Sequence, residues 1–178
     1  MQALRDGEEE LYEISQGVLV KILKQGDGDR SPRGGSVVTY VRFGDKVYSP
    51  VIDLGQADFI VSFELLEAAR YTEDLKPGGK IVTSTQQINP MPVITGAAQY
   101  PDELVAKIQA AGMDIDAFDA LALAEQAGSS KAVNIVLMGR LSKYFDFSEE
   151  EWMDAIRQSV PEKFLSLNQT AFKLGRNS

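Results

Sequence analysis

With 178 residues, 44% of them apolar and 25% charged, the chain has the length and composition of one globular domain with a single buried core. It contains no cysteine and no histidine, which excludes disulfides, thiolate nucleophiles, Cys-ligated iron–sulphur clusters, Ser–His–Asp triads and His-containing zinc sites. The net charge of −8 disfavours nucleic-acid binding through phosphate repulsion.

No apolar run approaches the roughly 20 residues that span a bilayer. The acidic stretch Met1 to Glu10 also lacks the basic-then-apolar order of a secretory signal. The expected location is the cytoplasm, without a membrane partner.

Along the chain, Glu8 to Gln16 fits a short helix, and Gly17 to Leu23 is a compact apolar run that reads as a strand. The turn formers from Gln25 to Pro32 follow it as a loop. Val37, Val38, Tyr40, Val41 and Phe43 then lead into Gly44-Asp45 and Lys46-Val47-Tyr48, the pattern of a β-hairpin with a two-residue turn. Pro50 ends it, because proline cannot donate to a ladder.

Beyond the hairpin the pattern alternates between strand and helix. Asp58 to Phe63 is a buried strand, Glu64 to Tyr71 a helix, Lys76-Pro77-Gly78-Gly79 a turn, and Lys80 to Ser84 a further strand. Such alternation predicts parallel strands with helical crossovers, covered on both faces. Gln86 to Tyr100 is a long connection holding Pro90 and Pro92. Asp102 to Ala111 reads as a helix, Met113 to Phe118 as a short strand and Ala120 to Ala127 as an alanine-rich helix.

The last third is helical. Ala132 to Phe145 sets Val133, Val136, Leu137, Arg140, Leu141 and Tyr144 along one mostly apolar stripe. Ser148-Glu149-Glu150-Glu151 has the form of a capping box, followed by Trp152, Met153, Ile156 and Val160 at helical spacing. Pro161 breaks that helix or opens the next, where Phe164, Leu165, Ala171 and Phe172 form a second apolar face. No repeat or shift of composition marks a boundary, so a single domain over 1–178 is expected.

Five stretches invite a functional reading. In Ser31 to Ser36, Gly34 and Gly35 let a backbone approach closely and Arg33 could grip a carboxylate or phosphate bidentately; a plain turn with an exposed arginine fits as well. Thr95-Gly96-Ala97-Ala98 is either a small-residue surface for a neighbouring backbone or simply a loop without bulk. Asn134 and Gly139 lie in an otherwise apolar helix, where glycine costs about 1 kcal/mol relative to alanine unless close packing compensates. Asn134 suits an internal bond or an interface. Asp114, Asp116 and Asp119 lack further oxygen ligands nearby in sequence and read as a solvated acidic edge. Pro77-Gly78-Gly79-Lys80 lacks the spacing of a phosphate loop and leads into a strand. None of these makes a catalytic or metal-binding constellation.

The order Arg33-Gly34-Gly35-Ser36-Val37-Val38, then Val41 to Pro50, resembles the gamma-type domain of 2-oxoacid:ferredoxin oxidoreductases. The match continues through Ala57-Asp58, Leu75-Lys76-Pro77-Gly78-Gly79 and Lys131 to Gly139. Within that family, Pro92 to Pro101, Val160-Pro161-Glu162-Lys163-Phe164 and Asn168 to Gly175 look like the beta subunit of indolepyruvate oxidoreductase. The likeness covers residues 33 to 175 and rests on shared order and spacing.

The resemblance implies a Rossmann-like three-layer α/β/α sandwich with a mostly parallel sheet, an added β-hairpin and a helical C-terminal part. It implies a small subunit without cofactor or catalytic residues of its own. The large partner subunit would hold thiamine diphosphate and iron–sulphur clusters and decarboxylate an aryl 2-oxoacid. Electrons would pass to ferredoxin and the acyl group to coenzyme A. Arg33, Gly34, Gly35 and Asn134 are the expected partner or ligand contacts. Family members open with a strand and a G-x-G-G-Q-G loop, of which Ser15-Gln16-Gly17 is the only echo, so residues 1–32 are atypical. A gamma subunit for pyruvate or 2-oxoglutarate, a stand-alone nucleotide-binding or acyl-transfer enzyme, and a scaffold or homodimerisation domain remain alternatives.

Overall fold

The computed structural model describes residues 18–25, 36–44, 47, 49 and 51–178. They form two compact units, one from the described residues of 19–41 and 51–120, the other from Val18 and those of 42–50 and 121–178. The helix expected at Glu8 to Gln16 and the loop after Gln25 lie outside the described residues.

The first unit is built on a five-stranded sheet. Its strands are β1 (Val18–Gln25), β2 (Ser36–Phe43), β3 (Ala57–Ser62), β4 (Leu75–Ser84) and β5 (Asp114–Phe118), in the order β2-β1-β3-β4-β5. β1, β3, β4 and β5 run parallel, with Ile60 opposite Ile81 and Ile81 opposite Ile115. Parallel neighbours need crossovers, supplied here by α1 (Leu65–Arg70) and by α3 (Leu104–Ala110), which follows a short turn of helix, α2 (Met91–Ile94).

Successive strand residues point to opposite faces. Ile60 and Ile81 on one face and Val61 and Val82 on the other are all 2% exposed or less, which marks a sheet covered on both sides. Ile60, Ile81 and Ile115 share one core with Ile52, Ala57, Ala68 and Ile108.

Most of the expected hairpin's second arm lies outside the described residues, and one other expectation differs from the structure. Strand β2 ends at Phe43, and its neighbour in the sheet is β1. Val47 takes no strand conformation, while Lys46 and Tyr48 lie outside the described residues.

The turn at Lys76–Gly79 does not precede the strand but is part of it. Ala57 pairs with Leu75 and Phe59 with Lys80, so two steps along β3 face five along β4. The surplus is looped out as a bulge. Gly78 has φ +78°, and a Cβ on Gly79 would lie 2.9 Å from the Asp58 carbonyl oxygen. Lys76 reaches back across it to ion-pair with Asp58.

The second unit is helical. It holds most of α4 (Ala120–Ala127), then α5 (Val133–Leu141), α6 (Glu149–Ser159) and α7 (Leu165–Asn177). Val133, Val136, Leu137 and Leu141 of α5 are buried as their spacing predicts. Helix α6 starts on the expected capping box: the Glu151 N–H donates to Ser148 Oγ at 3.3 Å, and the Ser148 N–H to Glu151 Oε2 at 2.8 Å. The Ser148 hydroxyl, which also donates to Glu151 Oε2 at 2.8 Å, and next the Ser148 N–H hold the Glu151 carboxyl below its usual range. Met153 and Ile156 pack with Phe172, whose ring lies 5.6 Å from that of Trp152.

Glycine sets the distance between α5 and α7. A Cβ on Gly139 would fall 2.1 Å from the Phe172 carbonyl oxygen, and one on Gly175 2.0 Å from that of Val136. The two backbones therefore touch directly, which offsets the helix-propensity penalty of both glycines. Fully buried Ser142 seals the same corner: its hydroxyl donates to the Gly139 carbonyl at 2.6 Å and accepts from Arg176 Nη1 at 2.6 Å.

Gly139→Ala and Gly175→Ala should each destabilise the chain by about 3 kcal/mol or more, because a backbone cannot rotate aside as a side chain can. Urea unfolding checks this. A loss below about 1 kcal/mol would mean that the helices are not in backbone contact.

Candidate functional site

In parallel α/β sheets, binding surfaces gather beyond the carboxyl ends of the strands. At that edge the chain has an unusual concentration of buried polar groups. Ser62, Thr83 and Ser84 are fully buried, and Glu64, just past β3, is 2% exposed.

Glu64 occupies the N-cap of α1. Its Oε2 accepts from the Glu67 N–H at 2.8 Å, filling one of the free donors of the first helical turn. Its Oε1 accepts from the Ile88 N–H at 3.2 Å and from the Tyr100 hydroxyl. Tyr100 in turn accepts from the Leu66 N–H at 3.1 Å, and the Leu65 N–H donates to the Gln86 carbonyl at 3.0 Å. Ser62 Oγ donates to the Glu64 carbonyl at 2.6 Å, closing the turn out of β3.

Burying a carboxylate costs several kcal/mol unless donors replace water. Here three donors do so, and both oxygens are engaged. Glu64 is thus a latch between the start of α1 and the connection from Thr85 to Glu103, with both oxygens already hydrogen-bonded. Burial, and next the bond to Glu64, push the Tyr100 hydroxyl above its ordinary value. Beside the latch, Glu67 Oε1 pairs with Arg70, while its buried Oε2 has no hydrogen-bond partner among the described residues.

Of the residues singled out from sequence, Arg33, Gly34 and Gly35 lie outside the described residues. Asn134 is exposed on α5, and Gly139 of the same helix is the buried contact with α7. Thr95 to Ala98 are all exposed. Asp114 is 59% exposed and ion-paired with Lys80, its neighbour across β4 and β5. Sequence reading missed Glu64 and Tyr100, which are 36 positions apart; a glutamate ahead of an apolar helix reads as an ordinary solvated cap.

A cysteine-ligated cluster does not fit a chain without cysteine. Among the described residues, no three acidic side chains converge to hold a metal ion. Also among them, no helix is long and apolar enough to cross a membrane.

Tyr100→Phe should cost about 1.5 to 3 kcal/mol, as for a hydrogen bond to a charged group, and leave the Leu66 N–H and Glu64 Oε1 short of a partner. Because the folded-state value of Tyr100 is raised, its contribution is complete below the unfolded tyrosine value of about 10 and is lost as pH rises through the folded value. Phenolate absorbance should therefore lose its most alkaline component in Tyr100→Phe. An unchanged alkaline titration would show that the hydroxyl is not held by Glu64.

The family model for pyruvate ferredoxin/flavodoxin oxidoreductase matches residues 26–178. The indolepyruvate oxidoreductase subunit IorB of Thermococcus kodakarensis is 45% identical over 150 residues, covering 82% of this chain and 74% of the relative. The subunit of the same name from Pyrococcus horikoshii is 43% identical with the same coverage. In structure, the gamma subunit of a keto/oxoacid ferredoxin oxidoreductase from Geobacter sulfurreducens superposes with a TM-score of 0.64. It has 21% identity and is covered to 96%, against 92% of this chain; at that identity the likeness establishes the fold. Matched by the family model over most of its length, and with a relative 45% identical, this chain belongs to the pyruvate ferredoxin/flavodoxin oxidoreductase family.

Proposed function

We propose that the chain is the cofactor-free small subunit of an indolepyruvate:ferredoxin oxidoreductase in the cytoplasm. The observation that carries this reading is its 45% identity to an indolepyruvate oxidoreductase subunit across 82% of its own length. Its chemistry agrees: the described carboxyl edge holds a structural latch, and the chain has no thiol or imidazole for redox or nucleophilic work.

In this reading the whole chain, 1–178, is one gamma-type domain, with 1–32 atypical. The large subunit binds thiamine diphosphate and the iron–sulphur clusters. It cleaves the bond between the carboxyl and keto carbons of the aryl 2-oxoacid and releases carbon dioxide. Two electrons leave through the clusters to two ferredoxins, and the acyl group is transferred to the thiol of coenzyme A. The small subunit contributes binding surface. Arg33, Gly34, Gly35 and the exposed Asn134 are its proposed contacts with the partner or a ligand.

Co-expression with a large indolepyruvate oxidoreductase subunit from the same genome should give a stable complex. That complex should reduce a viologen dye with indolepyruvate and coenzyme A, while the small chain alone shows no turnover. A complex that prefers pyruvate or 2-oxoglutarate would reassign the substrate. Activity of the isolated chain, or failure to form any complex, would overturn the proposal.

A further inference from the structure

The connection between β4 and α3, from Thr85 to Glu103, presents an apolar surface that no other described residue covers. Strand-to-helix connections usually take about 2 to 6 residues, and much longer ones without structure of their own are usually functional or disordered. This one holds only the four-residue helix α2.

Its composition departs from the rest of the molecule. No charged residue occurs between Lys80 and Asp102, although a quarter of the chain is charged. From Thr85 to Gln99 no side chain is buried. Ile88, Met91 and Ile94 are 37%, 67% and 65% exposed. Apolar, charge-depleted exposed surface is the signature of an interface core.

The connection is also held in one conformation. The Ile88 N–H and the Tyr100 hydroxyl are tied to buried Glu64. The Thr95 N–H bonds the Met91 carbonyl at 2.9 Å, the Ala98 N–H bonds that of Pro92 at 3.0 Å, and Gly96 takes the left-handed φ of +75°. Glu103 closes the segment at φ +54°, a conformation that costs a non-glycine residue roughly 1 to 2 kcal/mol. A merely solvated loop has no need of a buried carboxylate and a strained exit.

We infer that the Ile88–Met91–Ile94 surface, fixed from behind by the Glu64–Tyr100 latch, docks into an uncharged apolar recess of the large subunit. The inference rests on the small-subunit reading. A second copy of the chain is the poorer occupant: it brings its own net charge of −8, and the uncharged loop offers no ion pair to offset that repulsion. A different chain carries no such constraint.

The test measures affinity for the purified large subunit. Met91→Lys/Ile94→Lys should weaken binding about 100-fold or more, as expected when charges enter an apolar interface core. Leu54→Lys, at a residue 71% exposed elsewhere in the same unit, should bind like the unmodified chain. Amide exchange of the unmodified complex should slow across residues 86–99, a result independent of any variant's folding.

Equal binding by the double variant, an equal loss in Leu54→Lys, or unprotected 86–99 amides would overturn the inference while leaving the small-subunit reading intact. If the unmodified chain self-associates and the double variant becomes monomeric yet still binds the large subunit, the occupant is a second copy and the inference falls. If the unmodified chain fails to bind, both readings fall together.

Discussion

The sheet unit depends on how one carboxylate is taken out of water. Glu64 sits where β3 gives way to α1, and three donors from three places in the chain replace its hydration: the Glu67 and Ile88 N–H groups and the Tyr100 hydroxyl. Each bond joins a different part of the structure to the end of β3. The helix gains a cap, the connection after β4 gains a fixed start, and Tyr100 anchors its far side. Removing one partner from such a set leaves the others buried and short of a bond, which is why buried networks tend to be complete or absent.

The helical unit solves its problem in the opposite way. There the closest contact is backbone against backbone, made by leaving out side chains at Gly139 and Gly175. Ser142 then gives Arg176 a buried acceptor at the end of α5. Shape carries that contact and hydrogen bonding carries the other.

Elements governed by local pattern were legible in the sequence. The apolar run of β3, the α5 stripe and the Ser148–Glu151 box are each decided within a few neighbouring residues. The family was legible too, through motif order. Legibility fell where the deciding contact is distant. Gly139 hinted at close packing because glycine is costly inside a helix, whereas Gly175, next to the end of the chain, looks like an ordinary helix stop. The bulge in β4 reads as a turn because only pairing with β3 shows that the strand resumes on both sides. The pairing of β2 with β1 is likewise unmarked in the local pattern, because the sequence between them is longer than a short hairpin turn. Glu64 and Tyr100 carry no mark of their pairing at all.

The position of Trp152, the chain's sole tryptophan, has an experimental consequence. Its ring packs on Phe172 and meets Phe145 and Phe147 edge-on, all within the helical unit. Indole emission therefore reports on that unit alone, whereas far-ultraviolet circular dichroism reports on the backbone of both units. Comparing the two melting curves, one local and one global, reveals whether the two units lose their structure as one cooperative body or in turn.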